Sequence, residues 1–187
     1  MKKTLLVCAV AEEIEGLSAD LPVLYTEIGK EKAESALRKA LSSKHPDELK
    51  ELTVFNVGTT GTQKYERGTL LYPTSVCGHR NGVLQNIPIE DWGVNRYINC
   101  HPVVCYAADV FITEENKHIL DNVPHDCVDM EAYVEALVCK EFGVRFISLK
   151  LVSDSFNVTF DEWKASLKTV VSNLSHAIET LNKKSII

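Results

Sequence analysis

Four short clusters combine carboxylates, hydroxyls and glycines in ways that chemistry could use. Glu12-Glu13 follows an apolar run, and Gly58-Thr59-Thr60-Gly61 follows a second. Asp129-Met130-Glu131 opens a helical pattern, and Ser153-Asp154 follows the apolar stretch Ile147 to Val152. Carboxylates from separate segments, gathered in one pocket, can do general acid–base work: one delivers a proton while another orients or deprotonates a nucleophile. A glycine and hydroxyl loop admits close approach of a sugar or an anion. Each cluster alone also has an ordinary explanation. Acids in a first helical turn complement the macrodipole, and a Ser-Asp pair after a strand makes a common turn. Cys77, His79, Cys100 and His101 are zinc-ligand types, but their spacing matches no closed site. Buried cysteines and surface histidines explain them better, so no metal and no cofactor is expected.

These clusters have to be positioned by the elements around them. Thr4 to Val10 reads as a buried first strand and Glu12 to Leu17 as helical, followed by a short strand at Val23-Leu24-Tyr25. Gly29-Lys30 opens a helix with Ala33, Ala36, Leu37, Ala40 and Leu41 on one face. Ser42 to Lys50 reads as a polar loop, Leu52 to Val57 as a strand ending in Gly58 to Gly61, and Gly68 to Tyr72 as extended. Ser75 to His101 is rich in Gly, Asn and Pro and has little periodicity. Val103 to Ile112 reads as a strand and Glu114 to Leu120 as a short helix. Met130, Val134, Leu137 and Val138 share a helix face, and Arg145 to Val152 is a strand. Thr159 and Glu162 have capping-box spacing for a last helix carrying Phe160, Trp163, Leu167, Val170, Val171, Leu174, Ile178 and Leu181 on its apolar side. Alternating strands and helices predict a three-layer α/β/α fold, a mainly parallel or mixed sheet with helices on both faces. There is no internal repeat and no linker. In such sheets ligands bind beyond the carboxyl ends of the strands, where every polar cluster falls.

Composition narrows the function classes. With 187 residues, the chain is expected to form a single domain that buries roughly 70% of its unfolded surface. Residues are 45% hydrophobic and 25% charged, as in an ordinary globular protein. Twenty basic against 26 acidic residues, with no block of either sign, argue against a nucleic-acid partner. The Lys2-Lys3 start loosely imitates a leader, but its apolar run meets Glu12-Glu13 too soon. No run approaches the roughly 18 apolar residues of a membrane span. The six cysteines contain no C-x-x-C pair and do not form a disulfide framework. A cytoplasmic location is expected.

Taken in order, the clusters resemble those of the nucleoside phosphorylase and nucleosidase superfamily, closest to the bacterial methylthioadenosine/S-adenosylhomocysteine nucleosidases. The resemblance rests on Ala9-Val10-Ala11-Glu12-Glu13, Glu27-Ile28-Gly29-Lys30, Asn56-Val57-Gly58-Thr59-Thr60-Gly61 and Asp109-Val110-Phe111-Ile112. Its most specific parts are Val128-Asp129-Met130-Glu131-Ala132 and Val152-Ser153-Asp154. It implies hydrolysis of a purine nucleoside with a 5′-thio substituent. By resemblance, Asp154 protonates the purine at N7, Glu131 accepts both ribose hydroxyl hydrogen bonds, and Glu13 orients and deprotonates the attacking water. Met130 lies under the sugar, Phe111 stacks on the base, and the Ile112 backbone reads the purine edge. Thr59 stands where a serine is usual, Gly61 permits close backbone approach, Ser153 accompanies Asp154, and Phe160 closes over the substrate. The implied partner is a small-molecule nucleoside, and the implied assembly a homodimer.

Phosphorylases of the superfamily hold phosphate with glycines and an arginine after the first strand, where this chain has Ala11-Glu12-Glu13. Like charges at about 4 Å repel by several kcal/mol at an effective dielectric near 20, so water is the expected nucleophile. A phosphorylase, a futalosine-type hydrolase and a nucleoside-binding protein with a decayed site remain as alternatives. The chain departs from the pattern at Lys150, where arginine is usual, at Ala107-Ala108-Asp109 in place of Ser-Gly-Asp, and at Ala11 in place of an acid. The lid between Asp154 and Phe160 is short, and Ser75 to His101 is contracted. Both bear on the 5′ pocket and the partner surface.

Overall fold

Strand side chains alternate between two faces, and helices cover both. The computed structural model describes residues 3–187; Lys2 of the leader-like start lies outside the described residues. Strands β1 (Lys3–Cys8) and β2 (Val23–Tyr25) flank a single 3-10 turn at Ala11–Ile14. Helices α1 (Lys30–Ser42) and α2 (Pro46–Glu51) then lead into β3 (Leu52–Gly61). The hairpin β4 (Leu70–Arg80) and β5 (Val83–Pro88) precedes β6 (His101–Ala107) and β7 (Cys127–Asp129). The chain ends with α3 (Ala132–Phe142), β8 (Arg145–Asp154), α4 (Phe160–Val170) and α5 (Ser172–Lys183).

The sheet is mixed, as expected. β2, β1, β3 and β8 run parallel in that order, and β8 meets β4 antiparallel through Leu70 opposite Leu151 and Leu71 opposite Lys150. β4 pairs in parallel with β6, and β6 with β7. β7 returns antiparallel to β3 through Gly61 opposite Val128, so β3, β8, β4, β6 and β7 close into a ring. The β3–β8 register shifts between Thr60 and Gly61, a bulge at the carboxyl end of both strands.

Each strand feeds both layers. In β1, Val7 faces α1 and α3 with Val54, Leu37, Leu41, Val134 and Val138, while Leu6 and Cys8 face α4 and α5. On that second face Phe55, Val57, Leu149 and Leu151 pack with Trp163, Leu167, Leu174 and Ile178. All of β3 is buried, as a central strand covered on both faces requires.

Several boundaries differ from those read in the sequence. The polar stretch Ser42 to Lys50 holds all but the last residue of α2, started by Pro46 and by a capping box between His45 and Glu48. Gly58 to Gly61 belongs to β3 and is paired with β8. Glu12 to Leu17 and Glu114 to Leu120 shrink to 3-10 turns at Ala11–Ile14 and Lys117–Leu120, each too short to nucleate an α-helix. The strand expected to reach Ile112 stops at Ala107, and Met130 precedes α3. The last helix is broken at Val171 into α4 and α5. Within Ser75 to His101 lies a hairpin turned by Asn81 and Gly82, with φ of 53° and 75°, the left-handed pair that a two-residue type I′ turn needs.

Candidate functional site

The carboxyl ends of β1, β3, β6, β7 and β8 converge on one cleft of about 520 Å³ of empty space, counting its open mouth. Glu13, Thr59, Gly61, Phe111, Ile112, Met130, Glu131, Ser153, Asp154 and Phe160 all line it. The lining also includes Phe156 and Trp163, which sequence reasoning did not place there, and Asp129 of the Asp129-Met130-Glu131 cluster, to which it gave no role, with Ala9, Ile28 and Val110 along the apolar side. The lining contains no lysine, arginine or histidine. Of the two acids expected to oppose phosphate, only Glu13 reaches the cleft, because the 3-10 turn directs Glu12 away.

Glu13 is held by a directed chain. Trp163 Nε1, a donor only, gives its hydrogen to Thr59 Oγ1 at 3.1 Å. The Thr59 hydroxyl can therefore spend its own proton on Glu13 Oε1 at 2.7 Å, joined by the Thr59 backbone N–H at 2.7 Å. Two donors thus hold Oε1, while Oε2 accepts from the Cys8 thiol at 3.4 Å. Burial, then Glu13, push that thiol well above its ordinary range, so Cys8 stays a neutral donor. A β-carbon at position 58 would come within 3.0 Å of Glu13 Oε1, which makes Gly58 part of the carboxylate's seat.

Asp154 ends β8 and is bound on both oxygens. Oδ1 accepts from the Phe156 backbone N–H at 3.0 Å and Oδ2 from the Ser153 hydroxyl at 2.7 Å. Ser153 Oγ also lies 3.3 Å from the Thr60 carbonyl. The hydroxyl can donate to an ionised Asp154, or turn its proton to Thr60 and accept from a protonated one. Either state of Asp154 is thus accommodated, as a proton donor requires. Phe156 adopts φ 68°, uncommon for a bulky residue, and its ring packs against Gly61. A β-carbon at 61 would meet that ring at 2.7 Å and Asp154 Oδ1 at 3.0 Å, so glycine is required here by close approach.

Glu131 stands at the N-cap of α3 and accepts from the Gly29 backbone N–H at 2.7 Å, which ties it to the start of α1. Burial and then neighbouring Asp129 push its carboxyl up to about 8. Asp129 itself is paired with Lys150 at 2.7 Å, both side chains 2% exposed, and also accepts from Ala132 N at 3.0 Å. Burial, the largest influence, pulls the Lys150 ammonium down, but Asp129, Cys105 and Glu131 together outweigh it and the Lys150 pKa is raised. Lys150, at the position where arginine was expected, thus makes a single contact to Asp129.

An aromatic wall completes the cleft. Phe111, Phe160 and Trp163 have ring centroids 5.3 to 5.9 Å apart in tilted and edge-on arrangements. Asn116 donates to the Phe111 carbonyl at 2.9 Å and accepts from Thr113 N at 2.7 Å, which fixes the loop carrying Phe111 and Ile112. Phe160 is 39% exposed at the mouth. Trp163 was read only as helix core; its indole N–H is what gives it a second role. Nothing in the sequence marks Phe156, whose placement depends on a backbone torsion. The zinc-type residues lie apart from this cleft: Cys77 donates to the Pro124 carbonyl, His79 meets the Tyr106 hydroxyl, and His101 stacks on Tyr65. Among the described residues no group of three or more His, Cys, Asp or Glu could hold a metal ion.

Comparison with known proteins now bears on this geometry. A 5′-methylthioadenosine/S-adenosylhomocysteine nucleosidase of Buchnera aphidicola subsp. Baizongia pistaciae (strain Bp) is 26% identical over 163 residues, covering 71% of this chain and 65% of the relative. One from Exiguobacterium sp. (strain ATCC BAA-1283 / AT1b) is 30% identical over 118 residues, covering 59% of this chain and 44% of the relative. The chain thus spans less than two thirds of the length of these curated relatives. The futalosine hydrolase of Helicobacter pylori strain 26695, in mutant form, superposes with a TM-score of 0.80 at 16% identity, covering 98% of this chain and 100% of that one; the likeness is one of fold. The model of the phosphorylase superfamily matches residues 17–183, and the chain belongs to that superfamily.

Proposed function

We propose that the cleft hydrolyses the N-glycosidic bond of a purine nucleoside bearing a 5′-thio substituent, of the methylthioadenosine or S-adenosylhomocysteine kind. The observation that carries this reading is the convergence of Glu13, Glu131 and Asp154 in one cleft with no cationic lining residue. Breaking the bond builds positive charge on the ribose and negative charge on the leaving base. Asp154 supplies a proton to the base at N7, worth roughly 10²–10⁴ in rate, or about 3–5 kcal/mol. Glu131 accepts from the ribose hydroxyls and, once ionised, stabilises oxocarbenium-like charge on the sugar. Glu13 Oε2, which carries only the weak thiol donor, orients water and takes its proton. Phe111 stacks on the base beside the Ile112 backbone, Met130 lies under the sugar, and Phe160 covers the open side. Phosphate would enter a cleft of four carboxylates, Glu13, Asp129, Glu131 and Asp154, without a counter-charge in its lining.

A cytoplasmic homodimer completes the reading. Six buried, unbridged cysteines fit a reducing compartment, and among the described residues no helix is long and apolar enough to cross a membrane. The test is base release by purified protein from a panel of nucleosides, with and without phosphate. Adenine release from methylthioadenosine without phosphate is expected. Strict phosphate dependence would make it a phosphorylase, preference for futalosine would move the substrate class, and tight binding without turnover would make it a binding protein.

A further inference from the structure

The start of α4 is fixed by its own residues. Thr159 and Glu162 exchange capping bonds: Glu162 Oε2 accepts from the Thr159 N–H at 2.7 Å, and Thr159 Oγ1 accepts from the Glu162 N–H at 3.3 Å. The first helical bond follows at once, from the Trp163 N–H to the Thr159 carbonyl at 2.9 Å. This phase turns Trp163 inward, 7% exposed, with its indole N–H on Thr59 of β3 and its ring against Phe160 and Phe111. Trp92, the other tryptophan, is different: its buried indole nitrogen has no hydrogen-bond partner among the described residues. Buried area accounts for the Trp163 ring. It does not account for an N–H aimed at a hydroxyl that in turn meets Glu13.

We propose that Trp163 is a positioning residue for the carboxyl that activates water. By occupying a lone pair of Thr59 Oγ1 it fixes the Thr59 proton on Glu13, and so the aim of Glu13 Oε2. The inference rests on the reading of Glu13 as the group that takes the proton from water. A threonine hydroxyl has one proton to give and two lone pairs to accept with. The indole only donates, so at 3.1 Å it fills one lone pair and offers that proton no acceptor. The proton goes to Glu13 Oε1 at 2.7 Å, where the Thr59 backbone N–H joins it at 2.7 Å. Held from two directions, the carboxyl keeps one setting of its last torsion, which is otherwise broad for glutamate. Gly58 puts no side chain beside Oε1, where a β-carbon would stand at 3.0 Å, so the hydrogen bonds do the holding. Thr59 lines the cleft, and without the indole donor its hydroxyl is free to turn to water there, leaving Oε1 one backbone donor.

The experiment is Trp163→Phe, which keeps an aromatic ring and removes the N–H. With methylthioadenosine, kcat should fall about tenfold to a hundredfold while KM stays within about twofold. An unchanged kcat, with or without a raised KM, makes Trp163 a wall residue only and overturns the inference. In a double-mutant cycle Thr59→Val should be slow by itself, and adding Trp163→Phe should cost nothing further. Additive losses mean that the ring acts by packing, and they reject it. If no nucleoside is turned over, the proposed function falls but the chain of contacts is still tested, by ¹⁵N–¹H NMR of the indole. Glu13→Gln should move the Trp163 signal, assigned in a Trp92→Phe background, and should leave it in place when Thr59→Val is also present. No movement in the first case, or movement in both, rejects the inference. This arm requires no Trp163 variant to fold.

Discussion

The two faces of the sheet are built from the same strands and do different work. Toward α4 and α5, Phe55, Val57, Ile147, Leu149 and Leu151 meet Leu167, Leu174 and Ile178. One residue along in each strand, toward α1 and α3, stand Asn56, Ser148 and Lys150, facing Glu135 and Asp129. The first face is held by buried area, which is indifferent to orientation. The second is held by directed hydrogen bonds and a charge pair. It tolerates two orphaned carboxylate oxygens, on Asp129 and Glu135, each costing about 1–3 kcal/mol. The difference teaches where this protein accepts instability: on the side that sets the charge of the cleft.

Substitutions can break that contrast, beginning with the cleft itself. Asp154→Asn should lower the rate of base release by roughly 10²–10⁴ with little change in Tm, measured by single-turnover kinetics and thermal unfolding. On the polar face, Lys150→Met leaves Asp129 buried without its cation and should cost about 3–5 kcal/mol in urea unfolding at pH 8. On the apolar face, Leu149→Ala should cost about 2–5 kcal/mol and leave the pH dependence of stability as it was.

The pH dependence itself sharpens the comparison. Glu131 and Glu135 have folded-state values near 8 and 7, above the ordinary 4.5. The folded state therefore holds protons that the unfolded chain releases. These groups give their full stability below about pH 4.5 and lose it as pH rises through 7 to 8. Urea midpoints should fall between pH 5 and 8.5, and Glu135→Gln should flatten the fall. The smallest effect belongs to the rim: Phe160→Ala should raise KM several-fold, with kcat largely kept, since the ring covers the mouth and touches no reacting atom.

Much of the cleft was legible because strand ends fall where apolar runs stop, and side chains there have few places to point. Glu13, Thr59 and Asp154 each follow such a run within a few residues, and Glu131 opens a helical pattern. Glu135 was not legible. A glutamate inside a helix reads as a solvated residue, but α3 is buried on nearly all sides and has no polar stripe to mark the exception. The Phe156 ring against Gly61 was hidden for another reason, since its position depends on a left-handed torsion that residue type does not announce. The Asn81-Gly82 turn and the Pro46 helix start carried usable signals that weak periodicity around them obscured.

The most direct test of the central claim is to run the reaction in ¹⁸O-labelled water with phosphate present and analyse the sugar product. Hydrolysis through Glu13 and Asp154 predicts a free ribose derivative carrying one ¹⁸O at C1. An unlabelled ribose 1-phosphate would contradict it.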